Sequence, residues 1–262
     1  MNPGLRPKFP LVEEFSGIHL DANWATVEPG RTTVIESPRR LRHEQSYSFI
    51  HGLWWVWLDD GRSVASVPPG AGRAVRGVVA GALSAEARFD PGIADALKRI
   101  VDETLLGNRL SATDRKFCDL CFACDASLLG PHGPIESVRL IDDSLPPADG
   151  LNLPVHCFPD GIVYGVVVQG AVVSIAYAHR TGVMEGKVAD LAVETASAWR
   201  KRGFARAAVR GVVEHVVKAG GEAHYSCKPG NLASAATARS VGFVSHAKSL
   251  ILSAPAKDAG PE

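Results

Sequence analysis

Six consecutive residues, Arg200-Lys201-Arg202-Gly203-Phe204-Ala205, bring three cations and a glycine to the point where a strand gives way to a helix. The first amides of a helix have no acceptor within it, and the helix dipole adds partial positive charge, so such a start attracts anions. Gly203 lets a ligand approach the backbone closely, Ala205 keeps the first turn uncrowded, and Arg200, Lys201, Arg202 and Arg206 add charge, so that a phosphate or pyrophosphate fits. The same residues also read as an exposed basic helix start with an ordinary turn glycine, and taken alone they leave both readings open. Asn231, after Pro229-Gly230 and before a short helix, reads as an N-cap.

A second spacing, Cys118-x-x-Cys121-x-x-Cys124, raises a metal or iron–sulfur centre. A fourth ligand would have to be Cys157 or Cys227, neither at a recognisable spacing, and a strand through Phe117, Leu120 and Phe122 points the three thiols to different faces. The cysteines therefore read as small apolar packing residues, and no metal is expected. His156, His179 and His224 read as strand-end histidines satisfied by backbone, with a general base as their weaker alternative, since none has a partner in the sequence. His19, His43, His51 and His132 lack ligand spacing and read as surface residues.

These residues must be positioned by a chain of 262 residues with 28 Lys+Arg, 28 Asp+Glu, 46% hydrophobic and 21% charged residues. The balance is that of a globular protein long enough for one large or two small domains. Neutrality argues against nucleic acid or anionic lipid as a partner held by net charge. No apolar h-region follows Met1 to Lys8, and five cysteines make an odd count, which together predict a cytoplasmic protein with reduced thiols. The apolar stretch Gly161 to Ala178 is interrupted by Gln169-Gly170 and reads as two strands and a tight turn instead of a membrane span.

Residues 1 to about 45 carry Pro3, Pro7, Pro10, Pro29 and Pro38 without a sustained period and read as an irregular lead-in. Tyr47 to Leu58 and Ser63 to Val67 flank Asp59-Asp60-Gly61 as a hairpin, with Trp55 and Trp57 on one face and Trp54 on the other. Pro91 starts a helix that Gly107 stops, Phe117 to Ala126 is strand or helix, Ile135 to Ile141 is a strand and Ser144 to Gly150 a boundary loop. Beyond it the pattern is regular: strands at 161–168, 171–179 and 187–195, a helix at about 203–219, a strand at 222–227, a helix at 232–241, and a strand at 244–253 completing the sheet. The expected fold class is α+β, a mixed, mostly antiparallel sheet with flanking helices over residues 135–255. A smaller α/β domain of unclear role precedes it over 1–134, and a disordered tail follows at 256–262.

In this setting the hexapeptide resembles the central motif of the GNAT superfamily of acyl-CoA transferases, Arg/Gln-x-x-Gly-x-Gly/Ala after a strand, matched by Arg200, Gly203 and Ala205. The run Val193-Glu194-Thr195 … Trp199-Arg200-Lys201-Arg202-Gly203-Phe204-Ala205 is similar to a subgroup pattern of V/I-E-T, an aromatic and R-G-x-G-Y-A, with Lys201 where the subgroup carries glycine. Tyr225-Ser226-Cys227, Asn231-x-x-Ser234 and Ala238 with Gly242-Phe243 resemble the family's next block. The resemblance covers about residues 135 to 255 and makes the expected sheet GNAT-like, whereas the first half shows none.

The resemblance implies an N-acetyltransferase that moves an acetyl group from acetyl-CoA to a primary amine by direct attack in a ternary complex, without a metal. Val193 and Thr195 would offer backbone groups to the pantetheine arm. The amides of Lys201, Arg202, Gly203, Phe204 and Ala205, with Arg200 beside them, would take the pyrophosphate, and Asn231 would bond the pantetheine or adenylate arm, with or without capping its helix. Glu194, alternating away from Leu191 and Val193, is the candidate base. Ala238 stands where many members carry a tyrosine that protonates the thiolate, which leaves Ser234, Tyr225 or no acid at all for that step. Two alternatives stay open: a non-catalytic acyl-CoA-binding regulatory module, and a transferase of this fold using another acyl or aminoacyl donor. The acceptor, a small-molecule or peptide amine, leaves no motif. Pairing of two copies through the sheet edge is common in the family. Between Ile141 and Gly161 there is too little chain for the two helices that usually cover the acceptor, so the first domain, tryptophan strand included, is expected to supply that wall.

Overall fold

The computed structural model describes residues 9–43, 49–80, 82, 90–140, 142–158, 160–179, 183–184 and 186–255. The expectations for Met1 to Lys8, Tyr47, Ile141 and the tail at 256–262 fall outside these residues. In chain order the elements are α1 (Pro10–Leu20), β1 (Thr32–Glu36), β2 (Phe49–Leu58), β3 (Ser63–Val67), α2 (Gly72–Val79), α3 (Pro91–Gly107), β4 (Arg115–Cys124), β5 (Val138–Arg139), β6 (Val163–Val168), β7 (Ala171–Ala178), β8 (Val188–Thr195), α4 (Phe204–Lys218), β9 (Glu222–Cys227), α5 (Leu232–Val241) and β10 (Val244–Pro255). The class is the expected mixed α+β, with mostly antiparallel pairing.

The chain divides into two compact units, Ser16–Cys121 with the residues from His246 onward, and Phe122–Ser245 with the residues up to Phe15. This differs from the single cut expected near residue 135. The reason is β10, which pairs antiparallel with β2, placing Leu250 opposite Trp55 and Ala247 opposite Leu58. Its apolar residues Leu250, Leu252 and Ala254 thereby join the core of the first half instead of closing the sheet of the second.

In the first of these units the strand order is β1-β3-β2-β10-β4, with β1 and β3 parallel and β2 and β3 antiparallel. Trp55 and Trp57 are buried with Val75 and Val79 of α2 and Leu97, Val101 and Leu105 of α3, while Trp54 packs with the cluster of Leu20 and Trp24 on the other side. The alternation expected of the tryptophans is observed. Residues 10–20 and 32–36 are regular elements, not the irregular lead-in expected there. His19 and His51 are buried, not at the surface: the His19 ring lies 5.1 Å from Trp54, and His51 Nδ1 is 2.7 Å from Ser253 Oγ. At the start of α2 the Glu36 carboxylate accepts from the amides of Gly70 and Gly72 at 2.9 and 3.1 Å. Cys124, at the end of β4 and in the other unit, is buried, and burial pushes its thiol up to about 12, as suits a packing residue.

In the other unit the order is β9-β8-β7-β6-β5, with β8 and β9 parallel and the remaining pairs antiparallel. The β6–β7 turn places Gln169 and Gly170 both at positive φ, 52° and 80°, the conformation a two-residue hairpin requires. Among the described residues of the strand expected at Ile135 to Ile141, Val138 and Arg139 form the strand, and Leu140 N donates to the Val163 carbonyl at 2.9 Å. Helix α4 buries Ala208, Val209, Val212, Val213 and Val216 as its period predicts. No helix among the described residues is long and apolar enough to cross a membrane.

Candidate active site

Parallel pairing of β8 with β9 runs from Val188 opposite Glu222 to Leu191 opposite Tyr225 and stops there, although β8 continues to Thr195 and β9 to Cys227. Residues 192–195 pair on their other edge with β7, Ala192 opposite Tyr177 and Glu194 opposite Ile175. Along a strand the N–H and C=O of alternate residues point to opposite edges. The Asp190 carbonyl is taken by His179 N at 2.7 Å and the Glu194 carbonyl by Ser174 Oγ at 3.1 Å, both from the β7 side. The main-chain groups of Val193 and Thr195 therefore face the cleft between β8 and β9. Arg200 Nε donates to the Thr195 carbonyl at 3.1 Å and so closes one end of it.

The chain then turns through Ser197–Trp199 and enters α4. Lys201 and Gly203 are both left-handed, at φ 62° and 82°, and Gly203, as N-cap, brings no side chain to the first amides of α4. Leaving such amides to an external acceptor is what an anion-binding helix start needs. Trp199 fixes the loop from beneath: its ring is 6.0 Å from Phe204, and the Arg202 guanidinium stacks over it at 5.0 Å. Arg200, Lys201 and Arg202 are exposed, and Arg206, in the first turn of α4, donates to the Pro131 carbonyl at 3.2 Å, which leaves its charge in place.

The two faces of this sheet differ in kind. Tyr164, Ala176, Val193 and Thr195 share the face covered by α4, where Gly211 packs against Tyr164 and the Thr195 hydroxyl meets Ser174 Oγ at 2.7 Å. Tyr225 on β9 belongs to the same face; its hydroxyl is 2.7 Å from Ser234 Oγ of α5, and burial raises its pKa. Asn231 caps α5, accepting from Ser234 N at 3.1 Å, and Ala238 is fully buried.

Asp190, Ala192, Glu194, Tyr177 and His224 lie on the opposite face. His224 stands in register with Asp190, Nδ1 to Oδ1 2.9 Å, the two side chains 18% and 16% exposed. The expectation that this histidine is a backbone-satisfied strand end is thus corrected. Tyr177, whose phenol burial pushes up, with the Cys157 and Glu194 charges adding to the effect, has the His156 and His179 rings edge-on at 6.1 and 5.3 Å. The segment before β6 covers part of this face: Leu145, Ala148, Leu151 and Phe158 pack with Ile175 and Tyr177, and Ala148 N donates to the Val172 carbonyl at 2.8 Å. Over Ile175 and Tyr177 this face is thus covered by the unit's own loop. Sequence reasoning missed Asp190 and Tyr177, for which the alternation of strands 171–179 and 187–195 was the available signal.

Among solved structures the chain is similar to a GNAT-family protein from Novosphingobium aromaticivorans, at 19% identity over 55% of this chain and 67% of that one, TM-score 0.45. It is also similar to an acetyltransferase from the GNAT family of Colwellia psychrerythraea, at 15% identity over 54% and 58%, TM-score 0.42. A GCN5-related N-acetyltransferase from Kribbella flavida matches at 17% identity over 60% and 65%, TM-score 0.40. The chain thus spans roughly three fifths to two thirds of these proteins' length. No protein-family model matches the chain, and no curated protein does.

Proposed function

We propose that the chain is an acyl-CoA-dependent N-acyltransferase of the GNAT kind, moving an acetyl group from acetyl-CoA to a primary amine. One observation carries the reading: a helix start led by a glycine, with no side-chain cap, lies one short turn beyond a strand whose free edge opens where its parallel neighbour departs, at Leu191 and Tyr225. The spacing suits a ligand with a diphosphate at one end and an extended amide-bearing arm at the other. The amides of Lys201 to Ala205 would hold the diphosphate, with Arg200, Lys201 and Arg202 screening its charge. Val193, with Thr195, would bond the arm through main-chain groups, and Asn231 would add its side-chain amide while capping α5. The acyl carbon then comes to rest above Ala192, the first β8 residue beyond the pairing with β9.

With α4 and α5 on the other face, the amine enters from the face of Tyr177, Asp190, Glu194 and His224. Attack forms the C–N bond and expels the thiolate, a leaving group good enough to need little help from an acid. A cytoplasmic location and a small-molecule or peptide amine as acceptor accompany this reading. The second reading, an acyl-CoA-binding module without turnover, draws on Ala238 and on the Ser234 hydroxyl being engaged by Tyr225. Calorimetry with coenzyme A, followed by thiol release from acetyl-CoA with and without a panel of primary amines, tests both. Binding with amine-dependent release is expected; binding without release selects the module, and no binding overturns the proposal.

A further inference from the structure

A cleft of about 590 Å³ lies between α4 and the segment that leads into β5. It begins at Ala207 and reaches Ala219, the C-cap of the helix. Its far end at Lys218 is ~22 Å along the helix axis from Gly203, at 1.5 Å per residue, and so stands apart from the loop assigned to the diphosphate. Sites for small molecules occupy about 300–1,000 Å³ and combine an apolar lining with a few converging polar groups. Gly211 gives the cleft that form. A Cβ there would collide with the Ser137 hydroxyl and the Tyr164 ring, so a bare position in mid-helix, unfavourable for the helix itself, lets both line the floor.

Two rows of α4 side chains border the cleft, and they differ in charge balance. In the row Arg210, Glu214, Lys218, the carboxylate is already matched: Glu214 Oε1 accepts from Arg210 Nε at 2.7 Å and lies 2.8 Å from His132 Nε2, with Lys218 Nζ 3.9 Å from Oε2. In the row Ala207, Gly211, His215, the imidazole Nδ1 is 3.3 Å from the Tyr164 hydroxyl, and Arg139 stands opposite Tyr164 across β5 and β6. Burial and the charges of Arg139 and Lys218 hold His215 below its ordinary pKa. A lysine in the last turn suits the helix dipole. Arg139 comes from a separate strand, and among the described residues it pairs with no carboxylate. With the phenol donating to Nδ1, the neutral imidazole keeps its proton on Nε2 and is a donor too. An ammonium, a guanidinium and an imidazole N–H around one space repel one another until an anion joins them.

We propose that this cleft is a second ligand site, holding the carboxylate or phosphate of a small organic anion between Arg139, Lys218 and His215, with its apolar body along Ile135, Ala207 and Ala219. The inference goes beyond the acyltransferase reading and stands whether or not coenzyme A binds at the start of α4. Binding should draw a proton onto His215, because an anion among the cations favours the imidazolium. The charged and titratable groups facing His215 are Arg210, Glu214 and Lys218 of α4, Tyr164 of β6, Arg139 of β5, and His132 and Glu136 of the segment before it.

The test titrates the full chain calorimetrically with benzoate and with phenyl phosphate, which share a body and differ in the oxyanion, so that their relative affinities tell a carboxylate from a phosphate ligand. At least one should bind, and excess coenzyme A should not displace it. Arg139→Ala and Lys218→Ala, both at exposed positions, should each weaken binding about 10-fold and leave coenzyme A affinity unchanged. For benzoate, whose charge is constant between pH 6 and 8, affinity should rise as pH falls across that range. The titration midpoint of the His215 ring resonances, identified by their loss in His215→Gln, should move to higher pH when benzoate is bound. Absence of heat with both probes at millimolar concentration overturns the inference. So does displacement by coenzyme A, binding indifferent to both alanine variants, or a His215 midpoint that stays where it was.

Discussion

The hydroxyl of Ser234 on α5 lies 2.7 Å from the phenol of Tyr225 on β9, and the tyrosine ring stands edge-on to Phe243 at 5.6 Å. Two groups that the motif resemblance offered as acids are thus bonded to each other. Tyr225→Phe and Ser234→Ala should each lower stability by about 1 kcal/mol, the worth of one hydrogen bond. Their effect on kcat should stay within a few-fold, because a thioester needs little acid assistance. Urea unfolding and steady-state rates on the same preparations check this, and a hundredfold loss of kcat with stability intact would make the pair catalytic.

Gly203→Glu should weaken coenzyme A binding sharply. The glycine is at φ 82°, which a glutamate adopts only with strain, and the new carboxylate would stand among the amides meant for a diphosphate. A drop in affinity of about 100-fold by calorimetry is expected, with the circular dichroism spectrum retained.

Glu222 links stability to pH. Its carboxylate is buried and accepts from Val12 N at 2.9 Å, and burial outweighs that bond, so its pKa is raised above the ordinary 4.5. The stability it confers is fully present below about pH 4.5 and is lost as pH rises through the higher folded-state pKa. Glu222→Gln keeps an oxygen for Val12 without the charge. Its melting temperature should match wild type at pH 4 and exceed it at pH 8; a constant difference across that range would exclude the linkage.

Gly242 ends α5 at φ 125°, where a Cβ would run into the Leu128 carbonyl. Gly242→Ala should cost about 2 kcal/mol or more in denaturant unfolding, and it should loosen the Tyr225–Phe243 contact, seen as a change in tyrosine fluorescence.

The second half was legible because its elements obey local rules. The valines of α4 repeat at helical spacing and stop at Gly220-Gly221, and β9 and α5 end where Pro229-Gly230 and Gly242 interrupt them. The pairing of β10 with β2 was not legible, because it joins residues about two hundred apart and alternation says nothing about which edge a strand will find. The prolines of the first 45 residues hid α1, yet Pro10 sits at its first position, where proline is tolerated, and Val12, Phe15 and His19 mark its buried side. At the site, the basic loop and Asn231 followed from residue types. The Asp190–His224 contact needed the register of two strands that a helix separates in sequence.

The first half contains its own glycine-led helix start, at Gly70 and Gly72, and there Glu36 already occupies the amides. A side chain from the same molecule saturates that turn, with Gly72 kept bare of a Cβ by the carboxylate above it. The two halves therefore count differently in a titration: coenzyme A should bind at one equivalent per polypeptide, with none taken up at α2.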